Sequence, residues 1–392
     1  MFLKHMQKVN GDITFLFWEH VKSGDIPAFI DFLCLHRNEP DLLNLLGNYK
    51  TGPVEALDCI ELAKQIILKE HQFKSLTSFQ LFRQHLQEHS YVGTFEKAVE
   101  AVIYGDLNTL KYLIKEKPGL CYQRSRRLHH CTLLNYIGAN GFEYFRQKTP
   151  DNAVEVARLL LSAGATVDAV ADLYGGTTTL GLVATSIHPY NAGVQKELID
   201  ILLEHGANPQ IAIASSYKNG RLIASCIANS RLPAAIHLAQ KGINTDLEEA
   251  AGIGDLERVT SYFNGSGLIN GATEQQRDAG FSWACGFGHM DVVRFMLEKG
   301  LNLNVTIDGM TALHRAVTNG HLDVVELLLS RSAPLEVENS YGGSVLDNAL
   351  WAAYNTPAPA HPVIIKKLID AGAIVKPEWN QFIEKIMDQK VS

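Results

Sequence analysis

The chain has 392 residues, 46% of them hydrophobic, and carries 35 Lys and Arg against 42 Asp and Glu for a formal net charge of −7. That length and apolar content can bury a large core, whereas the acid excess argues against a nucleic-acid binder, which needs Lys and Arg clustered on one face to neutralise phosphates. Cys34, Cys59, Cys121, Cys131, Cys226 and Cys285 lack C-x-x-C spacing and read as reduced, buried thiols of a cytoplasmic protein, while Lys4, Lys8, Asp12 and Glu19 interrupt the N-terminal apolar residues and leave neither a signal-peptide core nor a membrane span.

In chain order, Phe15 to Phe32 and Leu57 to His89 read as helices separated by a polar stretch around Arg37 to Thr51, a helical leader over residues 1–93. From Phe95 the pattern changes to pairs of short helices, the first rich in small residues and the second carrying an aliphatic run that ends near a Gly. FEKAVEAVIYGDLNTLKYLI opens the series. It continues with TLLNYIGANG at Thr132 and VARLLLSAGATVDA at Val156, then TLGLVA at Thr179 and LIDILLEHGANPQ at Leu198, then the eroded segment Leu222 to Asn244. EEAAGIGDLERVTSYF at Glu248, ACGFGHMDVVRFMLEKGLNLN at Ala284 and DGMTALHRAVTNGHLDVVELLLSRSAPLEV at Asp308 follow. GGSVLDNALWAA at Gly342 with VIIKKLIDAGA at Val363 comes last. About eight units thus fill residues 94–375, and because one such pair cannot bury both faces alone, the units are expected to stack.

Three units carry extra residues between their helices: Phe142 to Asp151, Ile187 to Gly193 and Asn355 to Pro362. Insertions at one shared place should form proline-stiffened loops along one edge of the stack. Thr149-Pro150 reads as an N-cap with proline at the first helical position. Lys376 to Ile386 begins with Pro377 and sets Trp379, Phe382, Ile383 and Ile386 on one face, a C-terminal cap within residues 376–392.

Thr311-Ala312-Leu313-His314-Arg315-Ala316 matches T-P-L-H-x-A at every position but the proline, and with a period of about 33 residues the array resembles the ankyrin repeat. The resemblance implies an all-α ankyrin-repeat solenoid with short β-hairpin fingers and a concave groove that binds a protein partner. ALDCIELAKQIILKEHQFKSLTSFQLFRQHLQ from Ala56, YFRQKTPDNAVEVARLLLSAGA and TTLGLVATSIHP are similar to a group of uncharacterised bacterial ankyrin-repeat proteins with a helical leader. That likeness runs to about Gly206 and brings no known activity.

No catalytic constellation stands out. Cys285 and His289 are four apart, as a thiolate and its base could be, yet Cys285 replaces a small packing residue of a first helix and His289 occupies a turn. Adjacent His129, His130 and Cys131 alternate in direction along an extended finger and so make a poor metal set. The same finger holds Arg124, Arg126 and Arg127, whose forked donors match carboxylates. In a stacked unit the finger tip, the outer side of the first helix and the inter-helix loop border one groove. This gathers Arg126, Arg127 and His130, then Tyr136 and Asn140, then Tyr144, Arg146 and Lys148, with Asp172, Tyr174, His188 and Tyr190 from the next unit. A second patch collects Trp283, Phe287, Arg315 and Asn319 at outward first-helix positions, with Asn348 and Trp351 further along; Trp and Arg are the residue types that dominate interfaces.

The expectation is therefore a cytoplasmic monomer without catalysis, cofactor, metal, nucleic acid or membrane. It binds a protein partner through its groove, with the basic residues on an acidic segment. Two alternatives stand beside it: a small-molecule or enzymatic site between the second and third repeats, and a host-directed effector delivered into a host cell.

Overall fold

A computed structural model describes residues 13–36, 39–49, 58–87, 91–138, 142–214 and 218–388. Asn140, parts of the polar stretch around Arg37 to Thr51 and the last four residues of the expected cap lie outside the described residues, as do Lys4, Lys8 and Asp12. The chain divides into two compact units, residues 1–225 and 226–392. No helix among the described residues is long and apolar enough to cross a membrane.

The first unit begins with helices Ile13–Ser23, Ile26–His36, Pro40–Leu46, Cys59–Glu70 and Leu76–Gln87. The expected helix Phe15 to Phe32 breaks at Gly24, where φ is +62° and an added Cβ would lie 2.8 Å from the Phe79 ring. The expected helix Leu57 to His89 likewise breaks after Glu70, with Gln72 at φ +57°. These helices surround a core of Phe17, Phe29, Leu42, Ile66, Ile67 and Phe79, so local periodicity was right about helix and silent about the turns that close the bundle.

Three helix pairs follow: Tyr91–Tyr104 with Leu107–Glu116, the 3-10 turn Asn135–Gly138 with Ala153–Ser162, and Thr179–Thr185 with Gln195–Glu204. The middle first helix is reduced to a 3-10 turn because Asn135 is committed elsewhere. Its Oδ1 accepts from the Thr132 N–H and hydroxyl at 2.8 and 3.0 Å, and its Nδ2 donates to Ala169 O and Thr179 Oγ1, both at 3.0 Å. The following helix starts at Ala153 with Asn152 at its N-cap, three residues later than Thr149 would place it. Asn152 Nδ2 instead donates to Gly105 O of the preceding pair at 2.9 Å. Gln195 is buried and ties down the chain that enters the second insertion, its amide donating to the carbonyls of Val183, Ala184 and Ser186 at 2.9, 3.2 and 3.1 Å.

Helix Leu222–Ala228, within which the units divide, is followed by Leu232–Gln240. The second unit then runs through Leu247–Ile253 with Leu256–Thr260, Glu274–Phe287 with Met290–Leu297, Ala312–Thr318 with Leu322–Ser330, and Val345–Asn355 with His361–Asp370. Each of these four first helices starts at a capping box, Asp246/Glu249, Thr273/Gln276, Thr311/His314 and Ser344/Asp347, which satisfies donors the helix itself leaves open. Second helices are tied backwards by imidazoles. His289 Nε2 donates to Gly252 O at 3.0 Å, His321 Nε2 to Gly286 O at 3.0 Å, and His361 Nε2 to Val317 O at 3.1 Å. The fingers are minimal: strands Phe263–Asn264 and Gly267–Leu268, and single bridges Ile307–Met310 here and Ala171–Thr177 in the first unit.

Helix Asn380–Asp388 lays Phe382, Ile383 and Ile386 on the core of the second unit. Asp347 holds the approach to it, accepting from Lys376 Nζ at 2.6 Å and Trp379 Nε1 at 2.7 Å.

Gly181→Ala tests inter-repeat packing, because a Cβ there would collide with the Ala212 carbonyl oxygen and press on Thr177. Although alanine is the better helix former by about 1 kcal/mol, overpacking is expected to dominate and to lower stability by about 1–3 kcal/mol in urea unfolding.

Candidate functional site

The finger of the second repeat is closed by Ser125 N–H donating to Cys131 O at 2.8 Å. It is fixed on both sides, by Leu128 N–H donating to Gln72 O of the leader at 2.9 Å and by Asp172 N–H of the next finger donating to His129 O at 2.8 Å. Around the turn at its tip, closed by His130 N–H donating to Arg127 O at 3.0 Å, Arg127 and His129 are buried while Arg126, Leu128 and His130 face out. This division splits the expected basic cluster.

Arg127 does not reach the groove: it is 2% exposed. Its Nη2 donates to Glu96 Oε2 at 3.0 Å, its Nη1 to His71 O at 3.0 Å and to His71 Nδ1 at 3.2 Å, and its Nε lies 3.4 Å from Glu143 Oε1. The guanidinium also sits 4.8 Å from the centre of the Phe82 ring. Arg146, expected on an exposed loop, turns inward as well. It donates through Nη1 to Glu96 Oε2 at 2.8 Å and Glu143 Oε2 at 2.7 Å, and through Nε and Nη2 to Glu100 Oε1 at 2.9 and 2.8 Å. Tyr136 donates its hydroxyl to Glu143 Oε1 at 3.0 Å, which His129 Nε2 also meets at 2.7 Å. Three expected groove residues, Arg127, Tyr136 and Arg146, are thus used internally, because a chain that buries guanidinium groups must bury carboxylates with them.

Glu143 is the hub. It is 1% exposed and adopts φ +53°, a left-handed backbone conformation of order 1–3 kcal/mol unfavourable for a side-chain-bearing residue. Burial pushes its carboxyl up, but Arg127 and Arg146 outweigh burial and hold it well below the usual carboxylate range. Glu96 follows the same balance and is held low. Glu70 differs: burial raises it, although it accepts from the Tyr49 hydroxyl at 2.7 Å and from Tyr144 N–H at 3.3 Å. His71 donates from Nε2 to Val21 O at 2.7 Å and accepts at Nδ1 from Arg127, an arrangement that requires the neutral ring; burial, then Arg127, lower its pKa to about 4. Sequence reasoning missed Glu96, Glu143 and His71. The available signal was Glu96 standing among Phe95, Ala98 and Val99, an acid on an apolar helix face.

What remains outward in this unit is a smaller set. Arg126 is exposed and makes no side-chain hydrogen bond or ion pair among the described residues. His130 Nδ1 pairs with Asp172 Oδ2 at 2.6 Å, Lys148 Nζ lies 4.6 Å over the Tyr104 ring, and Tyr144 packs beside Trp18 with centroids 5.9 Å apart. Tyr174 is exposed at φ +50°, edge-on to Phe142, and His188 is half-buried in the short insertion helix Ile187–Asn191. The structure therefore brings Tyr174 to Phe142, while the Arg146 guanidinium is committed to Glu96, Glu100 and Glu143.

In the second unit the outward positions lie flat across neighbouring repeats. Trp283 is only 9% exposed; its Nε1 donates to Glu248 Oε1 at 3.3 Å, its ring lies 6.1 Å from Phe287, and the Arg315 guanidinium stacks over it at 4.2 Å. Arg315 Nε donates to Ser282 Oγ at 2.8 Å and Nη2 to Ile307 O at 3.0 Å, and Asn319 Nδ2 donates to Gly286 O at 2.7 Å. Trp283 is thus covered rather than presented, because Arg315 in the next repeat supplies a cation–π cover. Asn348 is buried too, donating to His314 O at 3.2 Å. Trp351 stands out, 53% exposed, with Tyr354 at 74% and Tyr341 at 88%. Cys285 is fully buried, and burial pushes its thiol well up; His289 is committed to Gly252 O. Cys34, by contrast with the expected buried thiols, is exposed.

Residues 281–329 match the family model for ankyrin repeats in many copies, and so this segment, which holds the Trp283–Arg315 stack, is ankyrin-like. The chain is similar over 62 residues, at 45% identity, to the ankyrin repeat and KH domain-containing protein mask of Drosophila melanogaster, covering 15% of this chain and 2% of that protein. It is 43% identical over 63 residues to inversin of Danio rerio, covering 14% and 6%, and 37% identical over 68 residues to SMC5-SMC6 complex localization factor protein 1 of Bos taurus, covering 16% and 6%. The chain spans a small fraction of the length of each of these relatives.

Glu143→Gln keeps the shape and removes the charge, and is expected to destabilise the first unit by about 3–5 kcal/mol in urea unfolding. Glu100→Gln, at the partly exposed end of the same network, should cost only about 1 kcal/mol. His71 gives a pH dependence of defined sign. Its folded pKa of about 4 lies below the 6.5 of the unfolded chain, so its contribution is complete above pH 6.5 and is lost as pH falls towards 4. Urea midpoints of wild type should decline across that window, and His71→Gln should flatten the decline.

Proposed function

We propose that this chain is a protein-recognition scaffold that engages its partner on the finger and first-helix side of its ankyrin repeats, without catalysis or cofactor, as a cytoplasmic monomer. The observation that carries the reading is the last repeat, where three large aromatics reach solvent from a finger tip, a first helix and that helix's end. Their spacing is held by hydrogen bonds. Asn339 Oδ1 accepts from the backbone N–H of Tyr341 and of Gly343 at 2.8 and 3.1 Å, its Nδ2 donates to Asn348 Oδ1 at 3.3 Å, and Ser340 N–H donates to Gly309 O of the preceding finger at 3.0 Å. Exposed Trp and Tyr on a pre-ordered frame are the side chains that anchor interfaces, and little ordering cost is left for association.

Around those anchors, Phe287, Arg315 and Asn319 offer the flanking contacts in the same unit. In the first unit Arg126, His130, Tyr144, Lys148, Tyr174 and His188 remain the residues proposed to meet an acidic partner segment. Ankyrin repeats generally mediate protein–protein interaction, and the matched segment 281–329 adjoins the aromatic repeat in sequence.

The test is quantitative capture with wild type and the double variant Tyr341→Ala/Trp351→Ala. Because both side chains are exposed, the variant should keep the wild-type melting temperature. A partner recovered by wild type should fall at least about tenfold with the variant, the loss of two anchors. Equal recovery by both baits would reject this face.

A further inference from the structure

Beside the buried arginine network, within the first unit, lies a cavity of about 770 Å³ bordered by the leader turn at Gln72 to Ser75, helix Leu76–Gln87, the start of helix Tyr91–Tyr104 and the second-repeat finger. Its apolar lining includes Phe73, Phe82 and Val92 together with Leu81, Tyr91 and Leu128, the last three being 52%, 47% and 37% exposed. Large apolar side chains left open to solvent in one place mark a binding surface rather than a folding requirement. The volume falls within the range of small-molecule sites, roughly 300–1,000 Å³.

The formally charged side chains at this cavity, Lys74 and Arg126, are both cations. Lys74, His85 and Arg126 line it, and none of its lining residues is Asp or Glu, in a chain whose net charge is −7. Arg126 and Arg127 are neighbours in the same finger with opposite burial: Arg127 is locked inward on Glu96 and His71, and Arg126 is exposed. Arg126 also borders an adjacent cavity of about 520 Å³ that Arg124, His130 and Glu96 line. Phe73 and Phe82 share both environments, flanking the Arg127 guanidinium and lining the cavity. A forked cation at the rim and an aliphatic and aromatic floor beneath it match one ligand chemistry, a carboxylate joined to an apolar body.

We infer that this cavity binds a small amphipathic carboxylate, a medium-chain acyl or aryl acid, with its carboxylate on Arg126 and its apolar body against Phe73, Leu81, Phe82 and Leu128. The site shares Arg126 with the contacts proposed above for an acidic partner segment, but the capture test of that reading changes only Tyr341 and Trp351, so either reading can fail alone.

Calorimetric titration of the full chain with decanoate and with decanol tests it. Decanoate should bind, decanol about tenfold or more weakly, and Arg126→Ala should remove that preference by weakening decanoate about tenfold or more. Arg126 has no described partner to lose, so the variant should melt as wild type does. Leu81→Glu, placing an anion on the exposed apolar wall, should abolish decanoate binding. Equal affinity for decanoate and decanol, or decanoate binding unchanged by Arg126→Ala, would overturn the proposal. An Arg126-dependent response to a short acidic peptide carrying a Phe, with none to decanoate, would also overturn it and make the cavity a peptide-docking surface.

Discussion

A charge buried away from water must find its opposite, and in residues 1–225 that requirement organises everything around it. Arg127 comes from a finger, Arg146 from an insertion, Glu96 from a first helix and Glu143 from the same insertion as Arg146; two cations and two carboxylates close on one another with Glu100 at the rim. Arg127 also takes the His71 carbonyl, and Tyr144 N–H reaches Glu70, so the network extends into the leader. The helices up to residue 87 and the helix pairs that follow accordingly fall in one compact unit, residues 1–225. The left-handed backbone at Glu143 is what places one carboxylate between two guanidinium groups, and the charge-assisted bonds it receives offset that strain.

Residues 226–392 are held together by a different device, repetition. The same imidazole-to-carbonyl bond recurs from His289, His321 and His361, and each first helix opens with a capping box, so small local terms add along the stack. Trp283 and Arg315 belong to this scheme. Their stacking joins adjacent first helices and removes from solvent the ring that was expected to meet a partner. Exposed aromatic area passes instead to the last repeat, at Tyr341, Trp351 and Tyr354.

Inward commitment of some groups defines what the others can do. With Arg127 locked inward, Arg126 beside it in the finger faces out, and a finger backbone already held in place leaves only the Arg126 side chain to be ordered on a ligand. The stiff finger thereby connects the internal charge network to an outward, cationic and partly apolar cavity.

The repeats were legible because their signals are local. Helix pairs, the Thr311 to Ala316 signature, terminal glycines and the apolar face of the last helix are written within a few residues of one another, and the stacking they require follows from a pair's inability to bury both faces. The alternation expected for His129, His130 and Cys131 corresponds to their burial, with His130 exposed between two buried neighbours, whereas Arg126 and Arg127 were expected together on the groove. Which arginine would be buried was not legible. Arg127 meets Glu96 across 31 residues of chain and Arg146 meets it across 50, and no periodicity links such positions. Nor could the order of residues say that Asn135 would tighten a first helix into a 3-10 turn, that helix Ala153–Ser162 would begin past Thr149, or that Arg315 would cover Trp283. Secondary structure and its repeat follow from neighbours in sequence; the distribution of buried charge follows from desolvation, a cost set only when distant segments are brought together.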